Sequence, residues 1–297
     1  MNIDKYKQVA FLNSTKNTDT ALVFASYQPN KVSSDLLRIA LKSLENINLD
    51  NISVWIIDVG SPKAHYLVSS DEFKKFNFIY VDYTPRSWER TPLVVKILKS
   101  IFLNKAPRAG SNANAWSLEF AISYFNKINY KPQFFMTLQT DVIFTEFNSI
   151  KDLREEMLND KKIIAAGFRG QFNLGKKYQI IHPLGCMWNL DLFKKLNLNL
   201  YPDFPDYDIG EKAIALSVNQ GYKILSYRNL RTDKPLNYKI EDKKYLGLGD
   251  GVDICVNNKF EIVFLHLGRG IEKSNNSDSI SKKFSARDWI SWYERNF

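Results

Sequence analysis

Cysteine is scarce in this chain: Cys186 and Cys255 are the only two in 297 residues, and neither belongs to a CxxC spacing. A disulfide framework and a thiolate zinc site are thereby excluded, and both residues read as core packing. Long apolar runs are missing as well. None approaches the roughly 18 to 20 residues that span a bilayer, and MNIDKYKQVAFLNSTKN lacks the basic-then-apolar layout of a secretory signal. A cytoplasmic location is the expectation. Internal repeats and low-complexity linkers are absent, which leaves one compact unit. No paired RNP aromatic strings and no zinc-finger spacing occur, so a dedicated nucleic-acid module is excluded.

What is present is a chain with 44% hydrophobic and 14% aromatic residues, enough to bury a sizeable core. Its formal net charge of +9 favours an anionic partner such as nucleotide phosphates or an acidic membrane surface. The basic residues are scattered along the chain, so charge alone does not choose between these.

The first half alternates apolar strands with helical segments, the pattern of an α/β domain around a mainly parallel sheet. TALVFASY (20–27) predicts a strand that stops at Gln28-Pro29-Asn30. A helix follows, with Leu37, Ala40, Leu41 and Leu44 at helical spacing. ISVWIIDVGSP (52–62) and FNFIYVDY (76–83) predict two more strands. TPLVVKILKSIFL (91–103) reads as a basic amphipathic piece, and RAGSNANAWSLEFAISYF as a helix with Ala113, Trp116, Phe120 and Tyr124 on one face. FFMTLQTDVIF (134–144) then reads as a buried strand that delivers Asp141, preceded by Gln139 and Thr140, to its end.

Beyond it, a helix start at Ser149–Asp152, a strand in KKIIAAGF and an extended segment turning into a helix in IIHPLGCMWNLDLFKKL are expected. PDFPDYDIGEKAIALSVNQGYKILSY reads as an acidic loop, a helix stopped by Gly221, and a strand. The spacing of Asp208 and Glu211 predicts a capping box at that helix start, which leaves Asp206 facing the cleft. VDICVNNKFEIVFLHLG predicts a hairpin about an Asn-Asn-Lys turn, and Ser285–Phe297 a short aromatic helix.

Ligands of open α/β sheets sit beyond the carboxyl ends of the strands, so the polar ends Ser26-Tyr27, Asp58 to Ser61 and Gln139 to Asp141 are the first candidates for a site. A carboxylate there can hold a hard divalent cation, which in turn neutralises a diphosphate.

Read together, Ser26-Tyr27, IIDVGS (56–61), RAGSNANA (108–115), the Gln139-Thr-Asp141 strand end and FPDYDIGEKAIALSVNQGYKIL (204–225) resemble GT-A fold glycosyltransferases of the large inverting family two type. The resemblance covers roughly residues 18 to 270. It implies a Rossmann-like mixed sheet flanked by helices, with a C-terminal hairpin and helix completing the site. It also implies one GT-A domain over 1–297: a nucleotide-sugar half (about 18–145), an acceptor half (about 146–270) and a helical extension (about 271–297).

By the same resemblance, Asp58 contacts the nucleotide base, and Ser26, Gly110, Asn112, Gln139 and Arg269 serve the donor. Asp141 and His266 hold Mn2+ or Mg2+, with Gln139 standing where the family has the first Asp of its DxD. Asp206 is the base, with Asp208 as the alternative or as the helix cap. Gly185, Asn189 and Asp203 line the acceptor pocket, while His65 and His182 are structural or surface residues.

The implied activity is transfer of a sugar from a nucleotide diphosphate donor, with a UDP-sugar the first expectation, to a carbohydrate or glycolipid hydroxyl. Bacterial surface polysaccharide or glycolipid synthesis is the implied setting, and peripheral membrane contact stays open through the C-terminal aromatics. Two alternatives also stay open: a retaining GT-A transferase, and a non-catalytic nucleotide- or carbohydrate-binding relative with a degenerate DxD. A sugar-phosphate nucleotidyltransferase is disfavoured, because ASYQPNKVS lacks the Gly-rich loop that follows its first strand.

Overall fold

A computed structural model describes residues 1–13, 18–62, 74–83, 109–169, 181–203, 206–231, 239–246, 248, 252–268 and 284–297. The strands are β1 (Gln8–Phe11), β2 (Thr20–Ser26), β3 (Ile52–Val59), β4 (Asn77–Val81), β5 (Phe134–Leu138), β6 (Val142–Phe144), β7 (Ile163–Arg169), β8 (Ile181–Asn189), β9 (Lys223–Asn229), β10 (Asp253–Val256) and β11 (Ile262–His266). The helices are α1 (Lys31–Ser43), α2 (Ala109–Lys127), α3 (Ser149–Asn159), α4 (Leu190–Lys195), α5 (Glu211–Asn219) and α6 (Ala286–Asn296).

One sheet orders the strands β1-β4-β3-β2-β5-β8-β7-β9-β10-β11-β6. β4, β3, β2 and β5 run parallel, as expected of the first half, whereas most pairings in the second half are antiparallel. The result is a mixed α/β sheet flanked by helices.

β2 shows why both sheet faces are apolar. Alternate residues of a strand face opposite sides. Ala21 and Val23 join Trp55, Phe120 and Ala121 on the α2 side, while Leu22 and Phe24 join Leu37, Ala40 and Leu41 on the α1 side. α1 begins in a capping box, with the Asn30 side chain accepting from Ser33 N–H and Ser33 Oγ accepting from Asn30 N–H. The helix then offers Leu36 and Ile39 to Trp289 and Trp292 of α6, so the C-terminal aromatics are core.

Several expectations are corrected. β1 is an edge strand antiparallel to β4 that QVAF is too short to announce by pattern. The stretch 134–144 is two strands rather than one: β5 stops at Leu138, a turn carries Gln139 to Asp141, and β6 pairs with β11 at the far end of the strand order. Asp208 does not cap α5. That position belongs to Gly210 at φ 71, although Glu211 Oε2 still accepts from Asp208 N–H at 2.9 Å, as the box spacing requires. Gly221 does follow the helix in a left-handed conformation, at φ +83. TPLVVKILKSIFL (91–103) lies outside the described residues.

β7 and β8 approach too closely for side chains at two glycines. A Cβ on Gly167 would lie 2.2 Å from the Gly185 carbonyl oxygen, and one on Gly185 would lie 2.9 Å from Phe168 Cδ2. Phe168 stacks on Phe264 at 3.8 Å between ring centroids, so neither neighbour has room to yield. Gly167→Ala is therefore expected to destabilise the fold by about 1–3 kcal/mol or more, read as a lower urea midpoint at unchanged slope.

Candidate active site

The strand order reverses around β2: β3 lies on one side of it and β5 on the other. Ser26 pairs with Asp58 and Phe24 with Leu138, so the Gln139–Asp141 turn leaves the sheet beside the end of β2. Three sequence-predicted strand ends thus meet at one topological switch point.

At the β2–β3 end, Asp58 is completely buried within a shell of donors. Ser26 Oγ, Gln28 Nε2 and Ser61 Oγ donate to its Oδ2 at 2.9, 2.9 and 2.7 Å, and Ser61 N–H donates to Oδ1 at 3.2 Å. Gly60, at φ 72, turns the chain back so that Ser61 can do this. Burial raises the Asp58 carboxyl above its usual range, against the lowering effect of those hydrogen bonds. Ser26 and Asp58 therefore act as one unit, with Gln28 as a member that sequence reasoning missed.

At the other end of the site, Asp141 and His266 come together although 124 positions lie between them in the chain. β11 pairs with β6 so that His266 lies opposite Val142, and Leu267 N–H donates to the Asp141 carbonyl at 3.0 Å. His266 Nε2 stands 3.5 Å from Asp141 Oδ1 and 3.0 Å from Gln139 Oε1. Asp141 is 3% exposed and His266 4%.

Three residues that sequence reasoning did not assign surround this pair. Asp253 Oδ2 lies 3.0 Å from His266 Nδ1, and its Oδ1 meets Arg231 at 2.9 Å and Asn229 Nδ2 at 2.7 Å. His182, expected to be structural or on the surface, sets its ring edge-on to His266 at 4.5 Å between centroids.

Burial and the neighbouring His266 lower the His182 pKa to about 3, so its ring is neutral, with Nδ1 accepting from Leu184 N–H at 3.2 Å. Burial pulls His266 down too, but the Asp141 charge and the Asp253 hydrogen bond outweigh it and raise its pKa. Burial raises the Asp253 carboxyl, yet His266, His182 and Arg231 outweigh that and hold it well below the usual range.

Whether these residues suit a divalent cation follows from their donor chemistry. With Nδ1 bonded to Asp253, the Nε2 of a neutral His266 carries a lone pair. It faces two further acceptor oxygens, Asp141 Oδ1 and Gln139 Oε1. Carboxylate, amide oxygen and imidazole are a fitting set for Mn2+ or Mg2+. His182, Asp253 and His266 also lie within 4.8 Å of one another. That grouping suits a cation less well, because both Asp253 oxygens and His182 Nδ1 are occupied by protein donors.

The acceptor-side residues are dispersed. Asp206 is exposed, in a turn where its N–H donates to the Asp203 carbonyl at 3.1 Å. Asp203 forms an ion pair with Lys212 at 2.6 Å, and Asp208 Oδ1 accepts from Ile209 N–H at 2.7 Å. Gly185, opposite Leu138, packs on Phe168 at the edge of the site.

Asn189 lies opposite Phe134 in the antiparallel register, at the start of β5 rather than its end, and its side chain caps α4. At about 3.4 Å per residue this is over 10 Å from the Asp141 turn. Asn112 is exposed near the start of α2, and Gly110 lies in its first turn. Arg269 and His65 lie outside the described residues. Cys186 and Cys255 are buried and free, with burial pushing both thiols up, as core packing requires. Among the described residues, no helix is long and apolar enough to cross a membrane.

No protein-family model and no curated protein matches the sequence. Among solved structures the chain is similar to the mannosyltransferase PcManGT from Pyrobaculum calidifontis in complex with GDP-Man and Mn2+. There the identity is 11% over 70% of this chain and 54% of that one, with a TM-score of 0.46. It is also similar to TarS 1–349 of S. aureus in complex with UDP-GlcNAc, at 9% identity over 61% and 48% of the two chains and a TM-score of 0.37. A third likeness is to an active-site mutant of LgtC, at 14% identity over 71% and 73% and a TM-score of 0.40. These neighbours are glycosyltransferases, and the chain spans about half the length of the first two. At such identities and scores no activity transfers from them.

Proposed function

We propose that the chain is a glycosyltransferase that moves a sugar from a nucleotide diphosphate donor to an acceptor hydroxyl with inversion. The observation that carries this reading is the meeting of Asp141, Gln139 and His266 at the switch point beside Ser26 and Asp58.

In this reading Asp141 and His266, with Gln139 as a neutral oxygen, hold Mn2+ or Mg2+, which when bound neutralises charge on the departing diphosphate. The nucleoside lies toward Ser26, Gln28 and Asp58. A base contact by Asp58 requires exchange of one of its four protein donors, because all of them already converge on its carboxylate. Gly110 and Asn112 at the start of α2, and Arg269, serve the donor.

Asp206 is the general base. It accepts the proton of the acceptor hydroxyl as that oxygen bonds to the anomeric carbon and the bond from that carbon to the diphosphate oxygen breaks. Its exposure supports this role. Asp208 is engaged with its own backbone and Glu211 at the helix start, which argues for Asp206 over Asp208. Asp203 and Gly185 border the acceptor, a carbohydrate or glycolipid, with UDP-sugars the first donors to try. The setting we propose is synthesis of bacterial surface polysaccharide or glycolipid, in the cytoplasm or at the inner membrane face.

Nucleoside diphosphate release from a panel of UDP-, GDP- and dTDP-sugars, with the product anomer assigned by NMR, tests the reading. Release with an inverted product is expected. A retained anomer would remove the single-displacement role of Asp206, and no release from any donor would remove the enzymatic reading.

A further inference from the structure

The hairpin of β10 and β11 sets Asp253 directly across from His266. Directly opposed residues of an antiparallel pair present neighbouring side chains on one face. Here that places Asp253 Oδ2 3.0 Å from His266 Nδ1. The other oxygen is fixed from the next strand along, accepting from Asn229 Nδ2 at 2.7 Å and from the Arg231 guanidinium at 2.9 Å. Asn229 is itself held, its Oδ1 accepting from Arg231 N–H at 3.1 Å. Asp253 is 5% exposed and Asn229 1%, so water does not compete for these bonds.

An ionised carboxylate only accepts, so the proton shared with the imidazole belongs to Nδ1. In the neutral imidazole Nε2 then carries the lone pair, on the side of Asp141 Oδ1 and Gln139 Oε1. An imidazole without this partner is free to adopt the other tautomer or to turn its ring, and either change removes the lone pair from the site.

We propose that Asp253 is a positioning residue for the cation site. Locked by Asn229 and Arg231, it fixes the tautomer and ring orientation of His266 so that Nε2 is the coordinating atom. The proposal rests on the reading of His266 as a ligand. It goes beyond that reading by giving a function to the buried Asp253 of β10, the buried Asn229 at the end of β9, and Arg231. Metal-ligating histidines depend on such a carboxylate, and its loss weakens metal binding about 10- to 100-fold.

The test is a titration of Mn2+ into the full chain, read by the electron paramagnetic resonance signal of free Mn2+, with circular dichroism to verify folding. Asp253→Asn is expected to weaken Mn2+ binding about 10- to 100-fold. Arg231→Met, which loosens Asp253 without removing it, is expected to weaken binding by a smaller factor. His266→Ala is expected to weaken it at least as much as Asp253→Asn.

With Mg2+ added, the side-chain 15N shifts of His266 should report Nδ1–H in the native chain and lose that preference in Asp253→Asn. A folded Asp253→Asn protein with native Mn2+ affinity overturns the proposal while leaving His266 as a ligand, provided His266→Ala still weakens binding. Native affinity in His266→Ala instead overturns the ligand reading itself. Should Asp253→Asn fail to fold, Arg231→Met decides, and native affinity there overturns the proposal.

Discussion

Asp206→Asn is expected to lower kcat about 10²- to 10⁴-fold, the usual contribution of a positioned base, while leaving donor binding unchanged. The amide has almost the same size but accepts no proton, so the acceptor hydroxyl must attack without deprotonation. Asp206 is exposed and set in a turn by its backbone rather than within the buried network, so the substitution carries little stability cost. Steady-state kinetics together with calorimetric nucleotide binding separate the two effects. A parallel loss of nucleotide affinity would place Asp206 in the donor site. The same change at Asp208 should act mainly through the start of α5, because that side chain accepts from Ile209 N–H and its own N–H meets Glu211.

The second large effect is expected at Asp141. Asp141→Asn keeps the shape of the side chain but removes the negative charge from a buried cluster in which Nε2 of His266 lies 3.5 Å away. A cation there is asked to supply several kcal/mol of charge stabilisation. At about 1.4 kcal/mol per tenfold in rate, its loss corresponds to a decrease in turnover on the order of 10²- to 10³-fold. Turnover measured against Mn2+ concentration distinguishes this from a general defect: a weakened site recovers part of its rate at high Mn2+, whereas a misfolded one does not. Unchanged turnover at unchanged Mn2+ dependence would show that the metal, if used, is held elsewhere.

Those expectations rest on features that differ in how plainly the sequence displayed them. The parallel strands of the first half were legible because each is an unbroken apolar run between helical segments and ends in polar residues: Ser26 on β2 and Asp58 on β3. Both faces of these strands are buried, with alternate residues looking toward α1 and toward α2. Asp141 and His266 were also legible as candidates, one from its apolar run and the other from its place after the hairpin strand.

Asp253 was hidden by local geometry. In the hairpin Val256 pairs with Ile262, and an unbroken register from that pair would set Asp253 opposite Leu265. A bulge between Cys255 and Val256 shifts the register by one, and Asp253 meets His266 instead. Arg231 and Asn229 were hidden because β9 joins β10 by a long-range pairing that leaves no periodic mark on either strand. His182 was undervalued for the same reason: its neighbour His266 belongs to β11, and β8 and β11 are not adjacent in the sheet. The helix start at α5 was misplaced by two residues, because Gly210 in a left-handed conformation takes the cap that Asp208 was expected to fill.

Thermal stabilisation by UDP, GDP, CMP and dTDP, each with and without Mn2+, tests the central claim most directly, since it asks whether the Asp141–His266 cluster and the Ser26–Asp58 strand ends form one nucleotide diphosphate site. The account predicts that one nucleoside diphosphate, UDP first, raises the melting temperature only when Mn2+ is present, with about 2.7 kcal/mol of stabilisation at a hundredfold excess over Kd. No shift with any nucleotide, or a shift that is the same without Mn2+, would contradict it.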